Sequence, residues 1–200
     1  MRLTRLFALS LLSLSLSVLG GCGGREIVRG SDDPSIDAHA MSTGLDKEDV
    51  QRSLTTLLGK MRTAPVMDGW RARGERTTVA IAPIRNDTSE HIEPVLQSLL
   101  GEVETWLVNS EVVTVVSQER QSEMIRQIEG AQHPVFDPRH IPQYGRQLGV
   151  QYYVTGKIFA VDERNDDMRR VQYWLFLQVI EVETGAIRWQ GKEEITKAVR

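Results

Sequence analysis

Three consecutive strand-like runs near the C-terminus constrain the fold more than any other feature of the sequence. The runs are QYYVTGKIFAV, RRVQYWLFLQVIEV and AIRWQGKEEIT, and the turns DERNDD and ETG join them. Short links of this kind connect antiparallel neighbours, and a three-residue link that ends in Gly185 suits a tight hairpin. Both faces of the middle run are largely apolar, so we expect it to lie centrally, at least partly covered on both sides. The three runs predict an antiparallel meander.

Upstream of this meander, helical and strand-like segments alternate. Helical spacing of apolar residues predicts helices over 45–61, 94–109 and 141–148, and a further helix is predicted after Ser117. Two apolar runs, TTVAIAPI (77–84) and EVVTVV (111–116), read as strands. Segment 62–76 is predicted to be a loop in which Trp70 packs on the core, and 85–91 is predicted to be a polar loop.

A helix joins the first two strands, so these strands should be parallel, with a right-handed crossover. The predicted fold class is therefore α/β (α+β). It consists of a mixed β-sheet with helices packed on it, in the order α-β-α-β-α-α-β-β-β, and it ends in the antiparallel meander.

The N-terminal segment has the features of an export signal. Arg2 and Arg5 form a basic head, and residues 6–20 are apolar but fewer than the ~20 needed to cross a bilayer. Cys22 is the only cysteine and follows Leu-Gly-Gly, which resembles the lipobox of bacterial lipoproteins. The resemblance implies cleavage before Cys22, diacylation of its thiol and acylation of the new amino group. Gly23, in place of Asp, implies sorting to the outer membrane in Gram-negative bacteria. The alternative is an ordinary signal that ends near a cysteine.

These features predict a lipoprotein signal peptide over 1–21, a flexible tether over 22–44 that starts from lipidated Cys22, and a globular domain over 45–200. Without residues 1–21 the chain has 22 Lys and Arg (24 less Arg2 and Arg5) against 27 Asp and Glu. This excess of acidic residues argues against a nucleic-acid-binding protein, which needs a clearly basic surface.

The sequence holds no recognisable catalytic constellation. It has no G-x-S-x-G, no H-E-x-x-H and no P-loop, and its one cysteine belongs to the leader. His133, Asp137 and His140 share a Pro-rich loop, where solvated side chains are a commoner arrangement than a metal site. The carboxylates of DERNDD lack the pattern of a calcium loop and are interpreted as a solvated turn. We therefore expect no enzyme, no cofactor and no metal.

Several segments follow one another as they do in the LpoB-type activators of penicillin-binding proteins. They are VAIAPIRNDTS, a helix and strand that lead into VSQE, the motif LG-x-x-Y-x-x-x-G, and a closing TG-x-x-x-W-x-G, here with Thr184, Gly185, Trp189 and Gly191. The resemblance covers about residues 45–198, and related folds include the N-terminal domain of TolB and CsgG.

The resemblance implies an outer-membrane lipoprotein on the periplasmic face that binds a bifunctional class A penicillin-binding protein. Binding would stimulate its glycosyltransferase and transpeptidase activities and so regulate peptidoglycan synthesis. The tether of about 22 residues spans at most ~75 Å, less than the long Pro-rich tether of enterobacterial members. A second hypothesis is a structural or accessory lipoprotein of an outer-membrane secretion or assembly complex.

Two polar features are candidates for the partner interface. One is the loop after the first strand, and the other is the side of YVTGK that is expected to be exposed. Asx and Thr side chains also turn and cap a chain, and for Asn86 this is the favoured interpretation. The candidate partner-binding residues are Arg85, Asn86, Asp87, Thr88, Tyr153, Thr155 and Lys157.

Overall fold

The computed structural model describes residues 27–29, 31–117, 119, 121 and 141–200. The chain divides into two units, Met1–His39 and Ala40–Arg200. In the described part of the first unit, one helical turn, α1 (Ser35–Ala38), follows Asp33, whose carboxylate accepts hydrogen bonds from the backbone and hydroxyl of Ser35. The leader with Cys22 lies outside the described residues, as does most of the helix predicted after Ser117.

The second unit contains a five-stranded mixed sheet and four described helices. The strand order is β2-β1-β3-β4-β5; β1 runs parallel to β2 and β3, and β3, β4 and β5 are antiparallel. This topology confirms the predicted fold class. The elements are α2 (Lys47–Arg62), α3 (Pro65–Arg71), β1 (Thr77–Asp87), α4 (Glu93–Asn109), β2 (Val113–Val116), α5 (Ile141–Leu148), β3 (Tyr152–Arg164), β4 (Arg169–Glu181) and β5 (Ile187–Val199).

Helices α2 and α4 cover one face of the sheet and form the main core. The predicted stripes on both helices are buried, for example Leu54 and Leu57 on α2 and Leu99 and Leu107 on α4. On the opposite face, the described cover is α5, which packs near the amino end of β3 in a smaller cluster around Tyr153. The two faces of the sheet therefore differ in how completely they are covered.

Two predictions about local structure are wrong. Segment 62–76 is not simply a loop, because Pro65 begins α3, and Trp70 packs on the core from this helix with 2% of its surface exposed. Strand β1 does not end at Ile84 but continues to Asp87. Its pairing with β3 is irregular between Ile81 and Ile84, which accommodates the proline that cannot donate to the ladder.

The middle run of the meander, β4, is interior but is not the centre of the sheet. Because β1 and β2 add to the far edge of β3, the central strand is β3. One face of β4 is buried, whereas the side chains of the other face are half-buried. Both sides of β4 are therefore at least partly covered, as predicted, and one of them is fully buried.

Two glycines of the sequence motifs lie where a larger residue would clash or would be strained. A Cβ added at Gly156 in β3 would lie 2.2 Å from the carbonyl oxygen of Phe176 in β4, so the close strand approach requires the absence of a side chain. Gly185 has a φ of +69° in the hairpin between β4 and β5, a conformation that glycine adopts without strain.

The entry of the chain into this unit is fixed by buried polar contacts. The Lys197 Nζ lies 2.6 Å from a carboxylate oxygen of Asp46 and 2.6 Å from one of Asp49, at the start of α2. Burial alone would raise the pKa of Asp46, but hydrogen bonds from Lys197 and from the Asp49 backbone hold that pKa below its usual value. The single proton of the Tyr173 hydroxyl is shared between the Thr43 carbonyl, 2.9 Å away, and the Glu90 carboxylate.

Candidate protein interface

Three aromatic rings stack on the less covered face of the meander. The centroid of Phe159 on β3 lies 5.1 Å from that of Trp174 and 5.8 Å from that of Phe176, both on β4, with interplanar angles of 19°. The Lys157 Nζ lies 5.1 Å from the centroid of Phe176, within the range of a cation–π contact. All four side chains are half-buried. We call Lys157, Phe159, Trp174 and Phe176 the aromatic face.

Strand pairing builds this surface. Phe159 is the register partner of Trp174, and Lys157 is the register partner of Phe176, so the side chains of each pair share one side of the sheet. Directly opposed positions place Cβ atoms ~4.5–5.5 Å apart, which is close enough for rings to stack. The rings thus stabilise one another without a covering helix among the described residues.

A charge pair borders the aromatic face on each side. On β1, the Arg85 guanidinium donates to both carboxylate oxygens of Asp87 over 2.9 Å. On β5, the Lys192 Nζ lies 2.5 Å from the Glu194 carboxylate, and this hydrogen bond holds the pKa of Glu194 below its usual value. An apolar centre with a charged rim is the general pattern of protein interfaces.

Three of the predicted interface residues lie at this surface. Arg85 and Asp87 are exposed, and they are the register partners of Lys157 and Phe159. The end of β1 and the YVTGK segment thus form one surface, a connection that no local pattern of the sequence indicates.

Asn86 and Thr88 organise the turn that follows β1. The Asn86 Nδ2 donates to the Glu90 carbonyl over 2.9 Å, and its Oδ1 accepts from the backbone and hydroxyl of Thr88 over 3.0 and 2.7 Å. The Thr88 hydroxyl in turn accepts from the Glu90 backbone over 3.1 Å. These contacts confirm the interpretation of Asn86 as a turn-forming residue.

The exposure predicted for Tyr153 and Thr155 is wrong. Tyr153 is fully buried, because α5 packs over it at Gly145 and Leu148. Thr155 is 8% exposed, and its hydroxyl donates to the Pro83 carbonyl over 2.9 Å at the irregularity of β1. Both side chains are therefore packed inside the domain and are not part of the exposed surface next to them.

Sequence reasoning missed the aromatic members of the surface. The largely apolar faces of the middle run predict partial cover on both sides, which agrees with half-buried Trp174 and Phe176, but they do not mark these two rings as part of a binding surface. The sequence does contain a signal for an exposed side. Gln172 and Gln178 flank these aromatics on the same side of β4, and Lys192 and Glu194 of β5 are the register partners of Phe176 and Trp174. Glutamines and charges at every second position favour a side that faces water.

Two of the four carboxylates of DERNDD form ion pairs from the end of β3. Asp162 accepts from Arg169, which holds the pKa of Asp162 below its usual value, and Glu163 pairs with Arg170. Among the residues that the structure describes, no group of three His, Cys, Asp and Glu side chains is placed to hold a metal ion. His133, Asp137 and His140 lie outside that set. No helix of the described ranges is long and apolar enough to cross a membrane.

Fold and surface together define an α+β domain with a candidate protein-binding face. The family described as "Peptidoglycan-synthase activator LpoB" matches residues 49–195, and the chain belongs to this family. The resemblance drawn from the sequence motifs is thereby confirmed. A comparison with curated protein sequences finds no significant match.

Two solved structures illustrate the shared fold. The LpoB C-terminal domain from Salmonella enterica is 20% identical, with a TM-score of 0.51, and the match covers 74% of this chain and 98% of that one. The LpoB C-terminal domain from Escherichia coli is 19% identical, with a TM-score of 0.50 and the same two coverages. At these identities the likeness concerns the fold.

Proposed function

We propose that the chain is an outer-membrane lipoprotein that binds and activates a bifunctional class A penicillin-binding protein. The observation that carries the proposal is the family match over 49–195, which spans most of the folded unit and belongs to activators of peptidoglycan synthases. The lipobox at Cys22 supports the anchor, since several acyl chains hold a protein on a membrane far better than one. Activation would regulate peptidoglycan synthesis from the periplasmic face.

The aromatic face is the surface that we propose for the synthase. Half-buried Trp and Phe rings are preorganised by stacking, so little side-chain entropy is lost when a partner covers them. Trp is also the residue type most enriched among those that dominate binding energy. The pairs Arg85–Asp87 and Lys192–Glu194 would set the orientation of the partner at the rim.

Activation by binding requires the domain to favour the active conformation of the synthase. A ligand shifts a conformational equilibrium only by its difference in affinity for the two states. The chain therefore needs no catalytic group of its own, which agrees with its membership of an activator family.

The predicted tether, residues 22–44, would link Cys22 to the folded domain and spans at most ~75 Å when fully extended. A synthase partner must accordingly reach close to the outer membrane, or the contact must form where the envelope is narrow.

The test is reconstitution of the full chain in detergent micelles with each class A synthase of its source bacterium. We expect faster glycan-chain polymerisation by one of them. Trp174→Ala should weaken binding by about 2 kcal/mol, or ~30-fold. The matched control is Val108→Ala, because Val108 is 53% exposed on α4, away from the aromatic face.

The anchor is tested separately. Replacing residues 1–22 by an ordinary cleavable export signal, which removes the thiol together with the leader, should release the chain from the membrane fraction, and the released chain should still stimulate the synthase in solution. The proposal fails if no class A synthase of the organism binds or responds. Co-purification of a secretion assembly instead of a synthase would favour the accessory-lipoprotein hypothesis.

A further inference from the structure

A cleft lined by arginines lies at the end of the sheet far from the chain entry. Its cavity, of about 390 Å³, is lined by Arg73, Arg146 and Tyr152 among others. A neighbouring cavity of about 330 Å³ shares Arg73 and Tyr152 and adds Arg188. Tyr173, which holds the entering chain, is the register partner of Ala160, eight positions along β3 from Tyr152. At ~3.3 Å per residue the cleft lies roughly 26 Å from that point.

Tyr152 lines both cavities and packs against Trp70, which lines the neighbouring one. Tyr152 is 3% exposed and packs edge-on against Trp70, with ring centroids 5.3 Å apart. Arg73 donates to the Tyr152 hydroxyl over 2.9 Å, and its guanidinium carbon lies 5.5 Å from the tyrosine centroid. The Arg73 guanidinium is thus held at the wall of the cleft, and this bond uses only one of its five N–H donors.

The cleft itself is lined by two arginines and two glutamates, and Arg188 of the neighbouring cavity adds a third arginine. Arg188 lies 3.7 Å from Glu181, whose other oxygen accepts from the Thr184 hydroxyl over 2.6 Å. Within the described ranges, neither Arg73 nor Arg146 has a carboxylate within ion-pair distance. Two guanidinium groups therefore face one cleft without a direct ion pair to a carboxylate of the described residues.

We infer that this cleft binds a carboxylate group carried on an apolar body, such as the free chain end of a short peptide. Arginine donors match a carboxylate in two parallel hydrogen bonds. Over the two adjoining cavities taken together, Arg73, Arg146 and Arg188 against Glu181 and Glu183 leave about one net positive charge, which suits a monoanion better than a doubly charged phosphate. Val150 and Val182 line the same cleft and provide contact for the apolar body.

This site is separate from the aromatic face and does not depend on the proposed synthase partner. Its test is calorimetric titration of the full chain in detergent micelles with N-acetyl-alanyl-alanine. The same peptide with a C-terminal amide, and inorganic phosphate, serve as comparison probes. We expect saturable binding of the acid and at least roughly tenfold weaker binding of the amide and of phosphate.

Arg73→Gln and Arg146→Gln should each reduce the affinity for the acid toward that for the amide. The matched control is Arg52→Gln, because Arg52 lies exposed on α2 and pairs with Glu48. Arg73→Gln also removes the bond to Tyr152, so Arg146→Gln, which loses no described partner, keeps the test decisive if the first variant unfolds.

Three results would overturn the inference. They are absence of saturable binding of the acid, equal affinity for acid and amide, and unchanged affinity in folded Arg146→Gln. Binding of phosphate as tight as that of the acid would overturn the carboxylate assignment.

Discussion

The close approach of β3 and β4 makes Gly156→Ala a sharp test of the sheet geometry. The added Cβ would lie 2.2 Å from the Phe176 carbonyl oxygen, whereas such carbon–oxygen contacts normally exceed ~3.3 Å. The atom in the way belongs to the backbone, so no rotamer change relieves the overlap. The two strands must separate by roughly 1 Å where they are normally ~4.8 Å apart.

This separation of the strands has a free-energy cost that follows from their pairing. It lengthens the two adjacent ladder hydrogen bonds beyond bonding distance, at about 1 kcal/mol each. The forced rearrangement of the packed interior adds about 1–2 kcal/mol. Gly156→Ala should therefore lower the free energy of unfolding by about 3 kcal/mol, a large part of the ~5–15 kcal/mol that domains possess.

Urea denaturation followed by circular dichroism measures this change. With a slope of ~2 kcal/mol/M, the midpoint should fall by about 1.5 M. The matched control is Gly59→Ala, because Gly59 is exposed on α2 and a Cβ there meets nothing within 4 Å. That variant should gain about 0.5–1 kcal/mol, since alanine replaces glycine in a helix. A midpoint for Gly156→Ala equal to that of the wild type would refute the described strand spacing.

Three further predictions concern the polar contacts at the chain entry. Lys197→Gln should cost about 2–3 kcal/mol in a urea titration, less than a fully buried pair because Asp46 is 40% exposed; an unchanged midpoint would contradict the cluster. The depressed pKa of Asp46 contributes stability above its ordinary value of 3.8 that is lost as pH falls through the folded value, so thermal unfolding at acid pH should depend less on pH in Lys197→Gln. Tyr173→Phe should cost about 1–2 kcal/mol and speed amide exchange around Thr43; wild-type exchange rates there would count against that hydrogen bond.

The arrangement of the sheet followed from local signals. Short links between period-two runs imply antiparallel neighbours, and a helix between the first two strands implies parallel pairing, and both expectations are confirmed. Helix α3 escaped prediction because seven residues that include Pro65 and Gly69 are too few to display a helical period. The extension of β1 escaped because Pro83 and the polar residues after it imitate a loop.

The candidate surface could not be predicted as a whole because exposure is a tertiary property. The alternation along β4 shows which side chains share a side, but not whether a helix covers that side. The same limit explains Tyr153 and Thr155, whose strand position was anticipated and whose burial was not. The contact between Lys197 and Asp46 joins residues 151 positions apart, beyond any local pattern.

The chain entry also determines how the second unit would respond to a mechanical load. Any pull on the chain ahead of Ala40 reaches the unit through the bonds of Tyr173 and Lys197 to residues 43–49. These few side-chain contacts break singly, whereas the strands of the meander share their load over a ladder of thirteen register pairs between β3 and β4. Under tension the entry segment would therefore be released first, and the sheet and both of its candidate binding surfaces would stay intact.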